Sequence, residues 1–130
     1  MTEIVFEITR WEEAGYDAGD PLHLRPPDGP LLARVLLAKR YTGPLEGEAV
    51  GEVQTCDQQG YIAMERITGV LDGRRGSFVL QHGAAQAPDG APLQFGWIVP
   101  QSGTGELAGI AGSARVAHER LTLDYVLPGD

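Results

Sequence analysis

The stretch "ERITGVLDGRRGSFVLQHG", residues 65 to 83, sets two apolar arms, Ile67 to Leu71 and Phe78 to Leu80, on either side of Asp72, Gly73 and Gly76. Asp-Gly between alternating apolar runs is a hairpin signal, because both residues tolerate the positive φ that a tight turn requires. The stretch therefore reads as two adjacent antiparallel strands. Pairing residue 71 with 77 places Arg66 opposite His82 and Glu65 opposite Gly83, and a slip of one residue places Glu65 opposite His82. Either register gathers Glu65, Arg66, Gln81 and His82 into one neighbourhood. In the first, Arg66 and His82 share a face with Phe78 and Leu80; in the second, Glu65 and His82 do.

The same period of two extends outward. Ile4, Phe6 and Ile8 alternate with Val5, Glu7 and Thr9, as a half-buried strand requires, and this first strand is expected to end near Trp11. Residues 15 to 30, dense in proline and glycine, admit neither a helix nor a central strand and read as a long loop. "LLARVLLAKRY", residues 31 to 41, has helix-favouring Leu and Ala but no good N-cap, and it runs into Thr42 and Gly43, so it reads as a strand. Further runs near 46 to 56, 60 to 71, 76 to 86, 92 to 99, 107 to 117 and 119 to 127 bring the expectation to about eight strands. The pattern T-G-x-L-x-G begins at Thr42, Thr68 and Thr104. Glycines recurring in this way suggest the corners of a curved sheet, and hence a closing antiparallel barrel rather than a flat sandwich.

A chain of 130 residues fits one domain, 1–130. With 18 acidic against 10 basic residues and a formal charge of -8, it would repel phosphate backbones, so nucleic acid and anionic membranes are not expected partners. Cys56 stands alone, without disulfide or zinc spacing, which points to a reducing cytoplasm. Glu3 and Glu7 interrupt any signal-peptide core, and no apolar run is long enough to cross a membrane as a helix.

"ERITGVLDGRRGSFVLQHG", "VPQSGTGELAGIAG" from Val99 to Gly112 and "LTLDYVL" from Leu121 to Leu127 together resemble the bacterial family of unknown function DUF3224. So do Phe6, Trp11, Tyr16, Asp17 and "YTGPLEGE" from Tyr41 to Glu48. The resemblance implies an eight-stranded antiparallel barrel like that of the allene oxide cyclases, related to dirigent-like proteins and to barrel cyclases of polyketide pathways. It brings no accepted activity. The segment "DPLHLRPPDGPLLARVLLA" is richer in Pro, Leu and Ala than that pattern.

In such a barrel, Glu65, Arg66 and His82 are the candidate catalytic groups, since a histidine beside a charged partner in an apolar cavity is suited to general acid or base work. Gln81, Tyr41, Phe78, Leu80 and Trp97 are the candidate ligand contacts. Replacing Glu65 or His82 is expected to alter ligand handling while leaving the fold intact. Three other motifs are set aside. Gly103 to Gly109 lacks the helix that a dinucleotide loop must open. His23, His82 and His118 are scattered singly, so no metal or other cofactor is expected. Ser77 and Ser102 lack a nucleophile elbow. Cys56 reads as a small buried residue.

The expected function is a small-molecule barrel with an apolar substrate, its catalytic form being a cofactor-free isomerase or cyclase. Its cavity should measure several hundred cubic ångströms. The alternatives are a non-catalytic ligand-binding module, or a structural barrel without ligand whose polar cluster only satisfies itself. Strands such as "VLLA" and "YVL", apolar on both faces, suggest a homo-oligomer.

Overall fold

The computed structural model describes residues 1–14 and 29–130. Eight strands close into an antiparallel up-and-down barrel in chain order: β1 (Thr2–Glu13), β2 (Leu32–Thr42), β3 (Leu45–Cys56), β4 (Gly60–Leu71), β5 (Arg74–Gln86), β6 (Pro92–Ile98), β7 (Ala111–Ala117) and β8 (Arg120–Val126), with β8 pairing back on β1. Residues 15–28, with Tyr16, Asp17 and His23 and most of the stretch expected to form a loop, lie outside the described residues. Among the described residues no helix is long and apolar enough to cross a membrane.

Alternation is clearest on the central strands. On β4, Ala63, Glu65, Ile67 and Leu71 are buried while Ile62, Met64, Arg66 and Thr68 face outward. β2 does the same with Val35, Leu37, Lys39 and Tyr41 inside, so burial on one face overrides the helix propensity of its leucines and alanines. β1 runs to Glu13, past the expected end at Trp11, because a bulge between Ile8 and Arg10 resets its pairing with β2.

Residues 105–107 form a 3-10 turn and β7 begins only at Ala111, which corrects the expected strand start at 107. Leu107 uses this turn to plug the barrel end, and the backbone of Thr104 hydrogen-bonds to Ser77 at 2.8 Å.

The repeated pattern also resolves differently from its expectation. Its three leucines, Leu45, Leu71 and Leu107, are all buried in one cluster, with Leu45 paired to Leu71. Its glycines are not equivalent corners. Gly43, Gly73, Gly105 and Gly109 have positive φ, whereas Gly47 and Gly69 face each other inside the β3–β4 ladder.

The hairpin at the centre of the sequence reading closes more tightly than expected. Asp72 and Gly73 alone form its turn, both at positive φ, so Leu71 pairs with Arg74 and Glu65 with Leu80. Both anticipated registers are therefore corrected: His82 lies opposite Ala63 and Gln81 opposite Met64. Arg66 lies opposite Val79 on the outer wall.

The interior is filled unevenly. A large cluster that includes Ile67, Phe78, Leu80, Leu121 and Leu123 packs the half nearest the 72–73 turn. The other half holds a thin second cluster of Val35, Leu37, Val53 and Ala63, with Tyr61 against it.

Candidate functional site

Between the packed half and the thinner half lies a layer of polar side chains. Lys39 on β2, Glu65 on β4 and His82 on β5 are exposed by only 4%, 1% and 3%, and they are the buried charged or polar residues among those described. They meet because β3 offers almost nothing between them. Ala49 pairs with Lys39 and Gly51 with Glu65, and a Cβ on Gly51 would sit 2.7 Å from the Glu65 Cα. The lysine can therefore reach over a strand to the carboxylate.

Lys39 Nζ donates to Glu65 Oε2 at 2.9 Å, and His82 Nε2 lies 2.8 Å from the same oxygen. The Tyr41 hydroxyl donates to Oε1. Lys39 Nζ also lies 4.2 Å from the centre of the Phe6 ring, a cation–π contact. On the far side of the imidazole, the Tyr61 hydroxyl is 3.0 Å from His82 Nδ1. No buried side-chain polar atom among the described residues lacks a partner.

Burial alone would push the Glu65 carboxyl pKa up. The hydrogen bond from His82, the positive charge of Lys39, the His82 charge and the Tyr41 hydroxyl together overcome this and hold it at about 2. Glu65 is thus a carboxylate and can only accept, so His82 Nε2 carries a proton. With its proton on Nε2, the ring turns Nδ1 to the Tyr61 hydroxyl as the acceptor. Burial, and then the neighbouring Glu65 charge, raise the pKa of Tyr61 and push that of Tyr41 well above the usual phenol value, so both phenols stay protonated. The result is a relay from Tyr61 through His82 to an anchored carboxylate, the type of chain that orients an imidazole for proton transfer.

This layer forms the floor of a cavity of about 510 Å³ in the thinner half. Lys39, His82 and Tyr61 line it, with Leu37, Val53 and Ala63 as apolar wall and Glu7, His118 and Glu119 near its mouth. Ile8 and Trp11 pair with Lys39 and Leu37, which places them on the inward-facing side of β1, yet they are 50% and 52% exposed. An inward apolar side chain left half open marks unfilled space.

The sequence-derived candidates divide accordingly. Glu65 and His82 are brought together, and Tyr41 joins them from within the core. Arg66 is exposed on the opposite surface, so it shares no face with His82. Phe78 and Leu80 are completely buried in the packed half, and neither lines the cavity. Gln81 and Trp97 bond to each other on the outer wall, Trp97 Nε1 donating to Gln81 Oε1 at 2.9 Å. Lys39 and Tyr61 were missed. The signal for Lys39 was its parity: a charged residue on the same strand face as Val35, Leu37 and Tyr41. Among the described residues no three His, Cys, Asp or Glu side chains gather as a metal site would need.

Residues 3–127 match the profile of a family described as a protein of unknown function, DUF3224. A solved structure of a protein of unknown function from that family, from Shewanella oneidensis MR-1, is 28% identical, with a TM-score of 0.79 over 99% of this chain and 97% of the other. No curated protein matches the sequence.

Proposed function

The chain belongs to the DUF3224 family, and from that premise we propose that it binds one small, mainly apolar molecule in the open half of the barrel and rearranges it by cofactor-free proton transfer, as an isomerase or cyclase. One observation carries this reading: the buried relay of Tyr61, His82 and Glu65 ends on the wall of an apolar cavity, with Lys39 beside it. A relay that served packing alone would have no reason to border open space. His82 is the acid–base group, Glu65 fixes its tautomer, and Tyr61 presents a hydroxyl to the guest. The cavity wall supplies conformational restraint, which suits reactions that need a folded substrate more than a strong catalyst. The family resemblance, which implies a barrel like that of the allene oxide cyclases, supports the same class. A cytoplasmic setting fits the lone, unpaired Cys56.

Ala63 lines the cavity opposite His82 without touching the relay's hydrogen bonds. Ala63→Trp should fill the space, weakening binding of the uncharged fluorophore Nile red about tenfold or more while wild type binds it in a saturable manner. Equal binding by both proteins, or none by wild type, would remove the cavity from consideration.

The outer wall supports a homo-oligomer. Val50, Met64 and Trp97 are exposed there, and the neighbouring Arg34–Glu52 ion pair offers both signs of charge to a second copy. Light scattering at micromolar concentration should show more than one chain per particle, and Trp97→Lys should reduce the mass. A wild-type monomer would defeat the idea.

A further inference from the structure

Two hollows meet at Tyr61. The first is the cavity above the polar layer; the second, also about 510 Å³, runs from Thr55 and Ala84 on the inner face over the barrel rim to Ile62, Ala85 and Leu93 on the outer face. Tyr61 lines both, and no other described residue does. Gly60, Ala84 and Ala85, all small, line the second hollow next to Tyr61.

Charge selects what can enter. Glu7 and Glu119 stand at the mouth of the cavity, and the chain carries a net -8, so an anion meets repulsion on approach. Within, Glu65 is sealed from the cavity while Lys39 lines it, so a cation meets a like charge. The donor that reaches the guest is Lys39, through the ammonium hydrogens not given to Glu65; the single Tyr61 proton is given to His82 Nδ1, which leaves the phenol oxygen only to accept.

Resting on the reading of the cavity as a ligand site, we infer that the ligand is an uncharged, elongated apolar molecule ending in a hydrogen-bond acceptor such as a ketone carbonyl. Its acceptor lies at Lys39, and its chain passes Tyr61 into the hollow at the rim. Tyr61 then stands between the head of the ligand and its tail.

Methyl n-alkyl ketones, from methyl propyl to methyl nonyl, test this by titration calorimetry. Wild type should bind them with affinity rising up to about fourfold per added methylene. Ala85→Trp, which fills the outer hollow, and Leu93→Asp, which makes it polar, should leave the short ketones unaffected and flatten the rise for the long ones. Undecanoate should bind more weakly than methyl nonyl ketone. Ketones that bind with no dependence on length, a rise untouched by both variants, or tighter binding of undecanoate would each overturn the inference while leaving a ligand cavity in place. Failure of every ketone and of Nile red to bind would instead overturn the cavity reading itself, and the inference with it.

Discussion

Glu65→Gln should destabilise the protein by about 3–5 kcal/mol, lowering its melting temperature by roughly 15 °C. The amide keeps the shape of the side chain, so the loss isolates the charge. With the carboxylate gone, Lys39 remains 4% exposed with no ionic partner, and the amide offers one acceptor oxygen where Tyr41 and His82 used two, so one of these donors meets an NH2 group. A buried ion is costly when its partner is removed, even where the intact pair contributes little. The geometry thus reverses the sequence-based expectation that Glu65 could be replaced with the fold intact.

The pH dependence has a definite sign. The folded carboxyl sits at about 2 against an ordinary value of 4.5, so its contribution is complete above pH 4.5 and disappears as pH falls towards 2. That shift corresponds to about 3 kcal/mol. In denaturant titrations the gap between wild type and Glu65→Gln should therefore be full at pH 7 and shrink steadily between pH 4.5 and 2. A gap that stayed constant over that range would show that Glu65 is not the ionised centre of the cluster.

How much of this was legible beforehand follows from the range over which each signal acts. Alternation in "EIVFEIT" or "ERITGVL" is local, so strand identity could be read directly, and turn residues such as Asp72 and Gly73 gave the order of hairpins. Register was harder. A two-residue turn and a longer one leave the same alternation in the arms, yet one sets Arg66 opposite Val79 and the other sets it opposite His82. The turn chosen here puts Arg66 on the outer wall and leaves Glu65 facing inward. Lys39 and Tyr61 were illegible for another reason. Lys39 meets Glu65 across β3, where Ala49 and Gly51 stand opposite the charged pair, and Tyr61 meets His82 on a diagonal of the β4–β5 ladder. Single-strand periodicity says nothing about such a diagonal. The repeated T-G-x-L-x-G did signal closure, but through buried leucines and one close strand crossing rather than through three like corners.

That crossing yields the other large effect: Gly69→Ala should destabilise the barrel by about 3 kcal/mol, while Gly60→Ala on the same strand should change stability by no more than about 1 kcal/mol. A Cβ on Gly69 would lie 2.1 Å from the Glu46 carbonyl oxygen and 2.6 Å from the Gly47 Cα. The reciprocal change at Gly47 would meet the Thr68 carbonyl oxygen at 2.3 Å. These obstacles are backbone atoms, so no rotamer change relieves them, and β3 must move away from β4 next to the hydrogen bonds that join them. At Gly60 the nearest atom is 3.4 Å from the added carbon, an ordinary contact, and its φ is not positive. Because β3 and β4 also carry Gly51 and Glu65, separating them at Gly47 and Gly69 should be felt at the polar layer. In urea titrations Gly69→Ala should therefore unfold well before Gly60→Ala, and its Nile red affinity should fall as well. Equal midpoints for the two variants would mean that β3 and β4 do not approach this closely, and that the repeated glycines serve the turns alone.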